Sequence, residues 1–210
     1  MRAFGVVVIA GLALLQAGCA SMSQGECLSG DWGPVGYQDG ADGHPPSRLD
    51  DHARACAAYG VRPDAQIYLD ARERGLGEYC RPQRGYREGR MGRRYHGVCP
   101  PRLAAGFLAG YDDGRRLHAA EEHRDALRDE VRRHDRRIRD INDELDEIAE
   151  GLDAPGLDER TRSSLESDRR DLRRTLRDIK DRRDHAWHQE RVAEDHATRL
   201  RIDLTGYYRD

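Results

Sequence analysis

The sequence of 210 residues lacks the features that most directly assign a function. It contains no Gly-x-Ser-x-Gly, His-Glu-x-x-His, phosphate-loop or dinucleotide-binding motif, so no enzyme class is indicated. Its formal net charge of −3 gives no excess of one sign to attract nucleic acid or acidic lipid. No stretch provides the roughly 20 apolar residues that a transmembrane helix requires. The sequence therefore predicts a non-enzymatic protein without a cofactor or a nucleic-acid partner.

The N-terminus has the layout of an export signal. Arg2 is followed by an apolar run over residues 3–15 and then by small residues up to Cys19. A positive start, an apolar core of about 7–15 residues and small residues at the cut are typical of a secretory signal peptide. The segment Leu14-Leu15-Gln16-Ala17-Gly18-Cys19 resembles a bacterial lipobox, with Gln16 in place of the usual small apolar residue. The resemblance implies a signal peptide over residues 1–18 and lipid attachment to Cys19.

Lipidation would make Cys19 the membrane anchor. A single acyl chain holds a protein on a membrane only marginally, and the bacterial modification supplies three. Ala20 and Ser21 follow the cysteine, which by resemblance to other lipoproteins favours the periplasmic face of the outer membrane over retention at the inner one. The alternative is an ordinary signal peptide, cut near Ala20, that leaves a soluble periplasmic protein.

The other four cysteines, Cys27, Cys56, Cys80 and Cys99, all lie before residue 100. An even number of cysteines in an exported chain predicts two disulfides. Zinc is the alternative, although no Cys-x-x-Cys pair of the usual kind is present. Three pairings are possible. A hairpin of the first two helices would bring Cys27 and Cys56 to the same end, which favours Cys27–Cys56 and Cys80–Cys99.

A short pattern recurs in the first half of the chain: tyrosine, any residue, an acid, then glycine or alanine. It occurs within residues 36–40, 67–71, 85–89 and 110–114. Small residues also recur four apart, as in Gly36/Gly40 and Gly85/Gly89, which stacks them on one face of a helix. The pattern predicts helices whose backbones approach closely, with tyrosines covering the contact.

Capping residues and prolines mark the expected ends of these helices. Asp31 and Ser47 can each cap a helix start, and Pro45-Pro46 breaks the chain between the two helices. The expected helices cover about residues 32–43, 47–59, 63–79 and 83–91. The longest helix begins at Pro100-Pro101.

Several motifs in this half resemble an uncharacterised family of proteobacterial lipoproteins, known only as a domain of unknown function. They include Asp31-Trp32, Gly36-Tyr37-Gln38-Asp39-Gly40, Arg72-Glu73-Arg74-Gly75-Leu76 and Tyr95-His96-Gly97-Val98-Cys99-Pro100. The resemblance covers about residues 27–115. It implies a location in the cell envelope and the four-cysteine framework, and it carries no activity.

From residue 101 onward the sequence predicts a long helical hairpin. Apolar residues recur at three- and four-residue steps from Leu117 to Leu152, which is typical of a coiled coil. Asp153-Ala154-Pro155-Gly156 ends this helix, and a second helix over about residues 158–204 repeats an apolar residue every seven positions. Because the companion positions are mostly polar, the seam stays partly exposed, which indicates self-association or a partner helix.

Two sets of side chains are candidate binding residues. A polar ligand site could be formed by four acids and three arginines: Asp39, Asp70, Glu88, Asp113, Arg72, Arg90 and Arg115. The alternative is that these residues pair with one another or cap helices. Trp32 and the tyrosines could likewise bind sugar or simply pack in the core.

The second set depends on the register of the hairpin. A fold about residues 154–155 places Glu121 opposite His188 and Arg124 opposite His185. A metal site would then be formed by His118, Glu122, His185 and His188. Imidazole and carboxylate suit zinc or nickel. The alternative is that these histidines simply face solvent.

Together these observations predict an all-α protein with a small disulfide-bonded helical domain and a long antiparallel coiled-coil hairpin. The expected segments are a signal peptide (1–18), a lipidated N-terminus and tether (19–30), the helical domain (31–115), the hairpin (116–205) and a C-terminal tail (206–210). The expected role is a non-enzymatic envelope lipoprotein that acts as a scaffold or adaptor through its hairpin. Its partners would be the membrane and either an envelope protein or a second copy of the chain. The alternative is a periplasmic module that binds cell-wall glycan or a transition metal.

Overall fold

The structure, a computed structural model, describes residues 21–209. Within these residues it contains no strand and seven helices: α1 (Gln24–Ser29), α2 (Trp32–Ala41), α3 (Arg48–Ala57), α4 (Ala65–Tyr79), α5 (Pro82–Arg90), α6 (Pro101–Asp153) and α7 (Glu159–Tyr207). The predicted all-α class is confirmed. None of the helices in the described range has the length and apolar character needed to span a bilayer. The predicted signal peptide and the lipidation site at Cys19 lie outside the described residues.

The chain folds into two compact units, one ending at Tyr79 and the other beginning at Cys80. Unit 1 contains α1 to α4, and unit 2 contains α5 to α7. Each unit holds one disulfide, Cys27–Cys56 in unit 1 and Cys80–Cys99 in unit 2. The favoured pairing is therefore confirmed. The segment 31–115, predicted as one helical domain, contributes helices to both units.

Unit 1 begins earlier in the sequence than expected. Ser23 caps α1 and forms a reciprocal capping box with Glu26, and Cys27 in the same helix is fully buried. The core consists of Met22, Cys27, Trp32, Cys56 and Tyr68. Residues 21–29, predicted as part of a tether, are instead folded, because the cap, the disulfide and the buried Met22 fix them. Trp32 packs in this core and does not offer a surface to a sugar.

Two pairs of helices pack with their backbones in direct contact. A Cβ atom added at Gly36, Gly40 or Gly75 would lie 2.1–2.2 Å from a carbonyl oxygen across the α2–α4 contact of unit 1. The same distances occur across the α5–α6 contact of unit 2, at Gly85, Gly89, Gly110 and Gly114. A side chain has no room at such a distance, so only glycine fits. The predicted close approach of glycine-bearing helices is confirmed.

Helices α6 and α7 form the expected antiparallel hairpin. Helix α6 has 53 residues, a length of about 80 Å. It ends at Asp153, and the turn contains Gly156 with a φ of +78°. Asp158 caps α7 by accepting a hydrogen bond of 3.1 Å from the backbone N–H of Thr161. Apart from Phe107 and the two packed glycines Gly110 and Gly114, the buried residues of α6 and α7 are Leu117, Leu127, Ile141, Ala186, Ala193, Ala197 and Leu204.

Helix α7 extends three residues beyond its predicted end at Leu204. The residue after it, Tyr208, donates a hydrogen bond of 2.7 Å to Asp113 and stacks on Tyr86 with the ring centroids 4.7 Å apart. Tyr86, Leu117 and Leu204 form one apolar cluster. The segment predicted as a C-terminal tail therefore continues α7 to Tyr207, and Tyr208 packs against α5 and α6.

The register of the hairpin differs from the prediction. Glu121 accepts a hydrogen bond of 2.9 Å from Arg201 instead of facing His188. Arg124 lies 3.3 Å from Glu194 instead of facing His185. The partners thus lie 13 and 9 residues further along α7 than expected. The predicted register assumes a turn centred at residues 154–155. The chain is instead non-helical from 154 to 158, and the apolar seam sets how α6 and α7 align.

Candidate functional site

A buried polar network joins α2, α3 and α4 in unit 1. The hydroxyl of Tyr68 donates a hydrogen bond of 2.5 Å to Oδ2 of Asp39. The same oxygen lies 2.7 Å from Nε2 of His52, and Nδ1 of His52 lies 3.0 Å from Oγ of Ser21. Asp39, His52 and Tyr68 are all buried. Their hydrogen bonds therefore replace those that water would make.

Burial keeps this network in one protonation pattern at Tyr68. Removal from water raises the pKa of Tyr68, and the hydrogen bond to Asp39 raises it further. The tyrosine consequently stays a donor and Asp39 its acceptor. A serine, a histidine and an aspartate linked by hydrogen bonds also occur in the active sites of hydrolases. Here, however, His52 is only 2% exposed, so a substrate has no access to the ring. The network serves packing.

The other predicted ligand residues of unit 1 have separate contacts. Arg72 is buried and donates hydrogen bonds of 2.9 and 2.5 Å to the carbonyl of His44. Burial lowers the pKa of Arg72. Asp70 lies on the exposed side of α4 and accepts hydrogen bonds of 3.0 Å from Gln66. Asp39 and Arg72 thus face the interior of unit 1, whereas Asp70 does not join them.

In unit 2 the predicted ligand residues also pair with neighbours. Buried Glu88 lies 2.8 Å from Arg84 and 3.4 Å from Arg93, and Arg90 lies 3.9 Å from Glu121. Asp113 is bound by Tyr208 and Arg116, and Arg115 is exposed. These contacts agree with the alternative interpretation, in which the repeated acids and arginines pair locally within each unit.

The hairpin register separates the four predicted metal ligands. His118 lies 3.4 Å from Glu122 on α6. The two α7 residues instead line a groove of about 510 Å³, whose four histidines are His123, His185, His188 and His196. Within residues 21–209, no group of three or more histidine, cysteine or acidic side chains is placed to hold a metal ion. The structure therefore does not assemble the predicted metal site.

A second groove lies between the helices in the half of the hairpin nearer the turn, and we call it the acidic groove. Its volume is about 460 Å³, and its lining consists of Glu144, Glu147, Ile148, Asp168, Asp171, Leu172 and Thr175. No residue from 142 to 185 is buried. The apolar side chains Ile148 and Leu172 are half-buried. The two helices alone therefore leave their apolar seam partly exposed here.

Two of the four acids of this groove, Glu144 and Glu147, belong to an acidic C-terminal segment of α6. From Asp140 to Asp153, α6 has seven acidic residues and no basic one. Among the described residues, no ion pair connects this segment to α7; Glu144 pairs with Arg137 of α6 itself. Acidic side chains at a helix C-terminus are destabilising, because the helix dipole is negative there. The sequence signal for this groove is the uninterrupted acidic run, which the predicted sites do not include.

One segment of the chain is similar to a known protein family. Residues 31–116 match the family model described as Protein of unknown function (DUF2799). The match begins at Asp31, the N-cap of α2, and ends in α6 just after its glycine-packed segment. No curated protein and no solved structure matches the chain. The resemblance to a domain of unknown function is confirmed over this segment. The description of this family names no activity, ligand or partner.

Proposed function

We propose that this protein is an extracytoplasmic lipoprotein, anchored through Cys19 at the outer membrane, whose hairpin serves as a scaffold or adaptor for an envelope protein. The lipobox-like sequence before Cys19 supports the anchor. The two disulfides support the compartment, because disulfides persist where the environment is oxidising. The proposed role is non-enzymatic.

The acidic groove is the observation that carries the adaptor role. A third helix laid along it would cover the half-buried Ile148 and Leu172, which two helices leave exposed. The four carboxylates at the rim favour a partner helix that carries arginine or lysine beside its apolar stripe. Such a partner would also offset the repulsion among the acids of α6, where Glu144 lies four residues after Asp140 and three before Glu147. A segment that breaks a local stability rule in this way is typical of a functional surface.

Photo-crosslinking in living cells tests the adaptor role. A photoreactive residue is placed in the groove at Glu147 or Asp168, and in matched controls at Ala149 or Arg173. All four positions are exposed, and at about 100° per residue each control lies about 140–160° around the helix from its groove position. We expect one recurrent envelope protein to be captured several-fold more strongly from the groove positions. Mass spectrometry of the adducts identifies the partner.

The other outcomes of this experiment separate the competing roles. Adducts between copies of the chain alone would replace the adaptor by a self-associating scaffold. Equal capture from all four positions would contradict a role of the groove. The absence of any protein adduct would favour the glycan or metal alternative, which pull-down by isolated cell-wall sacculi and a zinc titration then examine.

Substitution of the anchor residue tests the lipoprotein part of the proposal. Cys19→Ser removes the thiol that would carry the diacylglyceryl group, so we expect no incorporation of labelled palmitate and transfer of the protein out of the membrane fraction. Gln16→Leu, which restores the usual lipobox residue, is the matched control and should retain both properties. Unchanged labelling of Cys19→Ser would place the lipid on another residue. A wild-type protein that is unlabelled and already soluble would support an ordinary signal peptide cut near Ala20.

A further inference from the structure

The fold of unit 1 starts almost immediately after the proposed lipid anchor. Ser21 contacts His52 through its hydroxyl at 3.0 Å. Met22 is 6% exposed, belongs to the core, and places its sulfur 4.0 Å from that of Cys56. Ser23 then caps α1, and Cys27 ties that helix to α3 through the disulfide. No flexible segment therefore separates Ser21 from the body of unit 1.

Covalent geometry limits how far this body can lie from the anchor. Two peptide units connect Cys19 to Ser21, and a fully extended chain spans about 3.5 Å per residue, so the two Cα atoms are separated by at most about 7 Å. Each polar headgroup layer of a bilayer is about 5–8 Å thick, the difference between about 30 Å of hydrocarbon and 40–45 Å in total, shared by two sides. A lipid on Cys19 thus holds Ser21 at headgroup level.

We infer that unit 1 sits directly on the lipid surface, with Ser21 and the N-terminal end of α1 in the headgroup layer. This inference rests on the proposed lipidation of Cys19. We call this placement of unit 1 the seat. It follows from the contacts that Ser21 and Met22 make with the body of unit 1, because these contacts make the anchor a short, fixed attachment. A lipoprotein with a long linker would instead allow its folded part to move freely above the membrane.

The surface next to the anchor is compatible with such a seat. The exposed side chains of α1 include the uncharged Gln24 and Leu28. The one acid of this helix, Glu26, accepts hydrogen bonds of 2.7 Å from the backbone N–H and the hydroxyl of Ser23. These hydrogen bonds lower the pKa of Glu26, so its charge is held at the helix N-terminus, where the dipole favours it.

Fluorescence quenching in vesicles tests the seat with the complete mature lipoprotein. An azide-bearing amino acid at the exposed position Gln24 is coupled to a small fluorophore, and the protein is reconstituted into phosphatidylethanolamine and phosphatidylglycerol vesicles that contain a headgroup spin label. We expect the spin label to quench at least half of the fluorescence. The matched control inserts a glycine/serine linker of about 20 residues between Ala20 and Ser21, with a mean span of about 25 Å. This insertion should abolish the quenching.

Mass spectrometry of the N-terminal peptide, measured on the same samples, distinguishes the possible failures. Acylated Cys19 with no quenching at Gln24 would overturn the seat and leave the lipoprotein proposal intact. An N-terminal peptide without acyl mass would overturn both. Equal quenching with and without the inserted linker would overturn the short anchor as the cause of the seat, since unit 1 would then bind lipid by itself.

Discussion

Gly75→Ala is expected to destabilise unit 1 by about 3 kcal/mol or more, at the upper end of the range for overpacking. A Cβ atom at this position of α4 would lie 2.1 Å from the carbonyl oxygen of Tyr37 and 2.8 Å from the backbone nitrogen of Ala41. Both atoms belong to the backbone of α2 and cannot turn aside as a side chain could. The two helices must therefore separate, and the contacts on either side of the substitution are lost with them.

The same helix provides the matched control. Gly77 is exposed and has no atom within 4 Å of an added Cβ. Gly77→Ala should therefore stabilise the protein by up to about 1 kcal/mol, because alanine favours the helix over glycine. The two substitutions change the same atoms and have opposite expected signs.

Chemical denaturation followed by the fluorescence of Trp32 measures this difference. Trp32 reports on the core of unit 1, and the exposed Trp187 of unit 2 is replaced by phenylalanine in every variant to remove its signal. Equal unfolding midpoints for the two alanine variants would show that α2 and α4 do not pack through their backbones.

The second large effect is expected at Asp39. Asp39→Ala removes the shared acceptor of Tyr68 and His52 and leaves both buried without it. A buried polar group that loses its partner costs about 1–3 kcal/mol, because it has exchanged water for a contact that is gone, so we expect a loss of about 2–6 kcal/mol for the two groups together. The measurement is again the free energy of unfolding of unit 1.

A second acid of the repeated pattern serves as the control for Asp39. Asp70 has the same place in that pattern but lies on an exposed face with Gln66 as its partner. Asp70→Ala should change the stability by less than about 0.5 kcal/mol. A double variant of Asp39→Ala with Tyr68→Phe should cost less than the sum of the single variants, since the two residues share a hydrogen bond. Additive costs would argue against the network.

This pair of acids also shows what could be predicted from the sequence. Helix limits followed from prolines and apolar spacing, and the close helix contacts followed from glycines four residues apart. Asp31 and Ser47 take the predicted N-cap positions, but their side chains accept no capping hydrogen bond. The pattern around Asp39 and Asp70 is the same, however, and only the packing of α2 against α3 and α4 buries one and exposes the other. Local sequence does not contain that difference.

Two further errors have physical causes. Helix α1 was overlooked although Ser23 and Glu26 form a capping box, a signal that is readable in the sequence. The segment was interpreted as a tether because it follows the lipobox. The histidine site failed for another reason, since a few residues of uncertainty in the turn shift every facing pair along two long helices. A site that spans such a hairpin depends on the register more than on the residue types.

Burial is uneven along the hairpin, so its two ends are expected to differ in local stability. Near α5, apolar side chains such as Leu117 and Leu204 are enclosed, whereas residues 142–185 enclose none. Regions with little buried apolar surface open at a lower free energy than the core of the same protein. We therefore expect the turn end of the hairpin to open at a lower free energy than its base. A partner that covers the exposed seam would raise this free energy, so its binding and the local stability of the turn end are coupled.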